Sequence, residues 1–191
     1  MRTSLIIAAL LVLFTAPGAA QTRDENWAVC ESGDLDKGIA ACTALIEGGR
    51  ETPQNLAIAH SNRGITYSDQ GDFPHAIADY ERALQLNPYL AEAMNSLAWD
   101  LATMPAADLR DGRRAVELAE KAVALDSHET GFLDTLAAAY AEAGRFDDAV
   151  HTQQRAITRL QQSKGMPAEV IADFQSRLKL YQSDTPFHRT R

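Results

Sequence analysis

Five histidines, two cysteines and several acid pairs are the residues here that could do chemistry, and their spacing does not gather them. His60, His75, His128, His151 and His188 are scattered, with no HExxH pair and no cysteine at a zinc-ligand interval. His60 falls on the apolar side of a helical pattern and reads as a packed imidazole. Asp147–Asp148 and Glu117/Glu120 lie on polar helical faces, where solvation accounts for them. Gly48–Gly49 lacks the Gly-Lys-Ser/Thr that would make a phosphate loop, and no serine or cysteine sits in a nucleophile elbow. The expectation is a protein that is not an enzyme and uses no cofactor and no metal.

Composition points to what positions these residues instead. Apolar residues make up 46% of 191 but aromatics only 7%, which favours closely packed helices over a sheet. Residues 1–20 read as a signal peptide: Arg2, an apolar run from Leu5 to Phe14, then Ala-Pro-Gly-Ala-Ala before a cut ahead of Gln21. That run is short against the roughly 18 residues a membrane span needs. The expected destination is the periplasm, or the outside of the cell. An exported chain with two cysteines usually joins them, so Cys30 and Cys42 are expected to form a disulfide. The formal charge is −8, and Arg2 is the only charge lost with the leader. An acidic chain is repelled by phosphate backbones, which excludes nucleic acid as a partner. Arg110, Arg113 and Arg114 read as a solvated loop cluster.

Two stretches then echo each other. GDFPHAIADYERAL from Gly71 and GRFDDAVHTQQRAI from Gly144 share Gly, Phe, Ala, Arg and Ala columns. Weaker copies begin at Gly33 and Arg110, and a second family of segments precedes them at Asn62, Asn95 and Asp134. Both series carry a 34-residue period, interrupted once by five residues within Thr103–Gly112, whose Pro, Asp and Gly read as a loop. Each unit reads as two helices. Ala57, His60, Gly64 and Tyr67 stripe the first; Phe73, Ala76, Ile77, Tyr80, Ala83 and Leu84 stripe the second, which Asn87–Pro88 stops. Gly64 and Ala76 let the two axes close up while Tyr67, Phe73 and Tyr80 fill the gaps. One such pair cannot bury its face, whereas stacked pairs bury a continuous core.

Gly64, Tyr67, Gly71, Ala76, Tyr80, Ala83 and Pro88 at this period resemble the tetratricopeptide repeat (TPR). The resemblance implies an all-α, right-handed solenoid of antiparallel helix pairs. Its repeats would span 57–90, 91–129 with the inserted loop, and 130–162, after a divergent helical hairpin at 21–52. Val170, Phe174, Leu178 and Tyr181, with Ile171 beside them, stripe a further helix at 167–182. That helix either caps the open end or binds a partner. Residues 183–191, SDTPFHRTR, are expected to be a flexible tail.

The resemblance also implies a groove lined by the first helix of each pair, where a peptide or partner segment lies. Its columns fall on Ser61, Asn62, Ile65 and Asp69, on Asn95, Ser96, Trp99 and Thr103, and on Asp134, Thr135, Ala138 and Glu142. Trp99 either anchors a ligand or packs beneath the inserted loop against Met104 or Leu109. The carboxylate clamp of chaperone-binding relatives is not indicated, because its columns here hold Ser61, Ile65, Ser96, Gly131 and Thr135, with no cation. Asp69, Asp134 and Glu142 point to a neutral or basic segment. Arg63, where the repeat usually holds Leu, is expected to pair with Asp79. The expected function is an exported adaptor that binds a protein or peptide. The alternative is a homo-oligomer, assembled through repeats or terminal helix, that leaves no separate ligand.

Overall fold

The computed structural model describes residues 21–163 and 165–190; the signal-peptide reading falls outside them. Within them lie α1 (Arg23–Glu31), α2 (Gly38–Glu47), α3 (Pro53–Asp69), α4 (Phe73–Leu86), α5 (Ala91–Thr103), α6 (Gly112–Leu125), α7 (Thr130–Glu142), α8 (Phe146–Gln162) and α9 (Ala168–Tyr181). Helices α3–α4, α5–α6 and α7–α8 stack as successive pairs, and α9 packs on α8. The protein is an all-α solenoid of TPR-like architecture with a distinct C-terminal helix.

Local chemistry starts the helices where the pattern begins. Asp72 and Asp111 accept the backbone N–H three residues on, from His75 and Arg114. Thr22 and Glu25 close a capping box around the start of α1. The turns inside two pairs need a left-handed residue, and Gly71 and Gly144 supply it at φ +80° and +74°. That is the physical meaning of the shared glycine column. Gly64 has a different role: a Cβ there would stand 2.7 Å from a Tyr80 ring carbon and 3.2 Å from the Ala76 carbonyl oxygen. The pair α3–α4 therefore closes on a bare backbone, with Tyr80 lying fully buried beside it.

The main core runs through the stack from Ala76 and Tyr80 through Leu97, Leu101 and Met104 to Leu136, Ala137 and Tyr181. Beside it, between α2, α3 and α4, Arg63 and Asp79 meet as a bidentate pair at 2.7 and 2.8 Å. His60 Nδ1 lies 2.8 Å from the same carboxylate, and Arg63 donates to Thr43 of α2 at 2.8 Å. The stripe on α9 is spent on the solenoid. Phe174 is buried with Leu133, Ile157 and Leu160, and Val170, Ile171 and Leu178 pack around them.

The first hairpin has its own small core of Cys30, Ala41, Cys42, Leu45 and Ala59. Cys30 and Cys42 are joined in a disulfide, their Cα atoms 4.9 Å apart. Glu51 fastens α1 to the start of α3 by accepting from Arg23 at 2.6 and 2.9 Å, Trp27 at 3.2 Å and Asn55 at 2.8 Å. The Arg23 hydrogen bonds hold this carboxyl below its ordinary range against the opposing effect of burial. Because so small a core can supply little burial energy, the covalent tie matters. Closing a twelve-residue separation removes about 3 kcal/mol of unfolded-state freedom. Replacing both cysteines by serine should cost that much in a denaturant titration. The faster amide exchange that follows should be confined to α1 and α2, since solenoid units couple mainly to their neighbours.

Candidate functional site

The first helices α3, α5 and α7 present the groove columns, and two groups separate there. Asn62, Ile65, Asn95, Ser96 and Trp99 are half-buried and Asp69 is exposed. Ser61, Thr103, Thr135 and Ala138 are buried between helices, where they pack and offer no open surface. Asp134 is also buried. Its carboxylate accepts from Arg177 of α9 at 2.9 Å and from Gln153 of α8 at 2.6 Å. The family columns therefore overstate the open face: α9 covers the part contributed by the fourth pair. Burial pushes the Asp134 carboxyl above its ordinary range, and neither Arg177 nor Gln153 fully offsets it.

The tail differs most from expectation. Residues 186–190 run without helix along this face, held by side chains from all three first helices. The Arg189 N–H donates to the Thr103 carbonyl at 2.8 Å, so a main-chain bond fixes the register. The Arg189 guanidinium donates to Asp100 Oδ1 at 2.6 Å and to Ser68 Oγ at 3.1 Å, and lies 4.9 Å from the Phe73 ring centre. His188 Nε2 sits 2.6 Å from Glu142 Oε2. Phe187 lies 5.9 Å, centre to centre, from Trp99, and the Arg177 guanidinium is 5.6 Å from each of the two rings. Trp99 thus faces the groove, beneath the chain's own phenylalanine. The tail is seated because aromatic, imidazole and guanidinium groups each find a complementary partner there.

Sequence reasoning missed Asp100, Ser68 and the three tail residues. Asp100 is 1% exposed and interrupts the apolar run of α5; the equivalent positions of the neighbouring units hold Thr66 and Ala139. A charge that breaks a repeat column was the available signal. Its Oδ1 takes both Ser68 and Arg189, while its Oδ2 has no partner among the described residues. Burial raises the Asp100 carboxyl above its ordinary range, with Arg189 and Ser68 pulling the other way.

Arg110 also departs from expectation. It is not solvated: it donates to Glu142 at 2.9 Å and to the Met104 and Pro105 carbonyls at 2.8 and 3.2 Å. The inserted loop is thereby tied to the end of α7, and Glu142 serves both loop and tail. Beyond the tail, the face continues into a cleft of about 650 Å³ between the α3–α4 turn and that loop. Gly71, Phe73, Pro105 and Leu109 line it, with Arg189 and Thr190 at its mouth. Among the described residues, no three His, Cys, Asp or Glu side chains gather as a metal would need, and no helix is long and apolar enough to cross a membrane.

A sequence model of the tetratricopeptide repeat matches residues 57–90, the unit that carries Gly64, Gly71 and Tyr80. No curated protein matches the chain significantly. Among solved structures, the chain is similar to a tetratricopeptide repeat protein from Parabacteroides merdae at 15% identity and a TM-score of 0.62. That likeness covers 85% of this chain and 58% of the other, so the chain spans under two thirds of that relative. MamA from AMB-1 is similar at 16% identity and a TM-score of 0.57, over 85% of this chain and 89% of the other. Another structure of MamA gives 18% identity and 0.56, over 84% and 92%. These likenesses show the fold, an all-α stack of TPR-like helix pairs.

Proposed function

We propose that the chain is an exported adaptor that holds an extended segment of a partner protein on the face of α3, α5 and α7. One observation carries this reading: that face already receives a non-helical segment, residues 186–190, by main-chain bond, ion pair and aromatic contact. Repeat packing does not require Trp99, Asn62 or Asn95 to be half open, but ligand capture does. The leader-like residues 1–20 and the Cys30–Cys42 disulfide support an oxidising destination such as the periplasm.

A random peptide library displayed on phage tests the reading, with the full chain carrying Phe187→Ala and Arg189→Ala as bait. Enrichment of peptides whose capture is lost on Trp99→Ala supports it. Absence of enrichment, or capture indifferent to Trp99, overturns it.

Self-association has an observation of its own. Tyr89 is 77% and Leu125 46% exposed, flanking a cleft of about 400 Å³ that Pro88, Met94 and Ala124 also line. Light scattering during size-exclusion chromatography of residues 21–191 separates the two readings. A dimer dispersed by Tyr89→Ser places assembly on that patch, and a monomer leaves the adaptor reading.

A further inference from the structure

The tail does more than cover the face: it displays the chemistry that the face recognises. We infer that the partner segment carries an aromatic residue followed two positions later by arginine, and that Phe187-His188-Arg189 is a built-in competitor for the same seat. This rests on the adaptor reading above and names its ligand.

The spacing follows from extended backbone. In such a chain residues i and i+2 point to one side, and the observed contacts fit it: Phe187 and Arg189 both meet α5, at Trp99 and Asp100. The aromatic position stacks on Trp99, with Arg177 beside both rings. The arginine position meets Asp100, which is 1% exposed; among the described residues no cation of the repeats touches it, and its carboxylate takes only Ser68 and Arg189. A planar guanidinium reaches Asp100 Oδ1 and Ser68 Oγ together from two of its nitrogens, which a lysine ammonium matches poorly. The intervening residue points away to Glu142, an acid that favours a donor or a cation at that place. The Thr103 carbonyl adds a main-chain bond that any residue except proline supplies. Together these make a neutral-to-basic ligand, read by one ring and one fork.

Competition is intrinsic to the geometry. Only a few residues separate the end of α9 at Tyr181 from Phe187, so the tail is presented at an effective concentration in the millimolar range. A partner must outbid that, and a segment that makes further contacts along the 650 Å³ cleft, which Arg189 and Thr190 already line, gains the means to do so. The unsubstituted chain thus has its affinity reduced by the fraction of time the tail is seated.

The test uses the full chain and a fluorescein-labelled synthetic peptide, Thr-Pro-Phe-His-Arg-Thr. The chain with Phe187→Ala and Arg189→Ala should bind this probe at least tenfold more tightly than the unsubstituted chain. Adding Asp100→Asn should remove most of that gain, and a peptide with alanine for both phenylalanine and arginine should not bind. In the unsubstituted chain, excess unlabelled peptide should speed exchange of the Arg189 amide, a readout that holds even where the tail variant folds poorly. Equal probe affinity in the two chains, indifference to Asp100→Asn, or an Arg189 amide unmoved by peptide would overturn the inference. So would a dimer formed by exchanged tails. Should the phage library enrich peptides that need Trp99 but lack the aromatic-x-arginine pair, the adaptor reading stands and this one falls.

Discussion

Asp134→Ala should lower stability by about 3–5 kcal/mol, the cost of leaving one partner of a buried ion pair alone. Both side chains are under a tenth exposed, and Arg177 has few other acceptors: Asp173 takes one nitrogen at 2.6 Å, and the Phe174, Trp99 and Phe187 rings surround the rest. Gln153 would also lose its 2.6 Å acceptor. The loss should appear first in α9, as faster amide exchange over residues 170–181, because α8 and the repeats keep their own core. A double change, Asp134→Leu with Arg177→Met, should recover most of the stability, since well-packed apolar pairs replace buried ion pairs at little cost. Failure of the double variant to recover would show that Arg177 matters for its ring contacts and not for its charge. The pH dependence has a definite sign. Because burial raises the Asp134 carboxyl, the folded chain holds its proton to higher pH than the unfolded one. The contribution of this site is therefore full below the ordinary carboxylate value and declines as pH rises through the raised one. The stability difference between the unsubstituted chain and Asp134→Asn should shift in that direction over the same interval.

This pair also explains how the tail comes to lie where it does. Arg177 holds α9 against α7 through Asp134 and at the same time reaches over Trp99 and Phe187, so the helix that closes the solenoid also aims the segment that follows it. Tyr181, at the end of α9, is fully buried in the main core and fixes the exit point. A passive cap would need only the apolar stripe.

The repeat was legible because its demands are local and periodic. Gly64 must be bare where Tyr80 crosses it, Gly71 and Gly144 must turn left-handed, and each demand returns at the same interval. What the groove holds was not legible in that way. Asp100 and Arg189 stand 89 residues apart, and no period relates a repeat to a tail. The family columns marked Trp99 and Glu142 for a ligand; both contact the chain's own tail, which no repeat column can foresee. They also cannot show that α9 covers Asp134, since a capping helix lies outside the repeat. The Asp100 signal was physical and not periodic: a carboxylate amid leucine and alanine has to meet a donor from somewhere.

Asp79→Ala should cost about 3–5 kcal/mol for the same reason as Asp134→Ala but with the opposite pH signature. Arg63 stands where the repeat usually places leucine, and its fork is matched on Asp79 at 2.7 and 2.8 Å, with His60 completing the carboxylate. Removing Asp79 leaves a guanidinium between α2, α3 and α4 whose remaining acceptor among the described residues is the Thr43 hydroxyl. Arg63→Leu together with Asp79→Leu should be close to neutral, because it restores the apolar column of the repeat. Burial pushes Asp79 up, but the donors from Arg63 and His60 outweigh it and hold the carboxyl below its ordinary range. The unfolded chain thus takes up this proton first as pH falls. The contribution is present above the ordinary carboxylate value and is lost as pH drops through the depressed one. Denaturant titrations of Asp79→Asn and the unsubstituted chain should therefore converge toward low pH. Two acids of one solenoid, each paired with an arginine, would then move stability in opposite directions. The difference lies in the pairing: Asp79 takes both prongs of the Arg63 fork and His60, at a junction where the arginine is 18% exposed, whereas Asp134 takes one nitrogen each from Arg177 and Gln153 beneath α9.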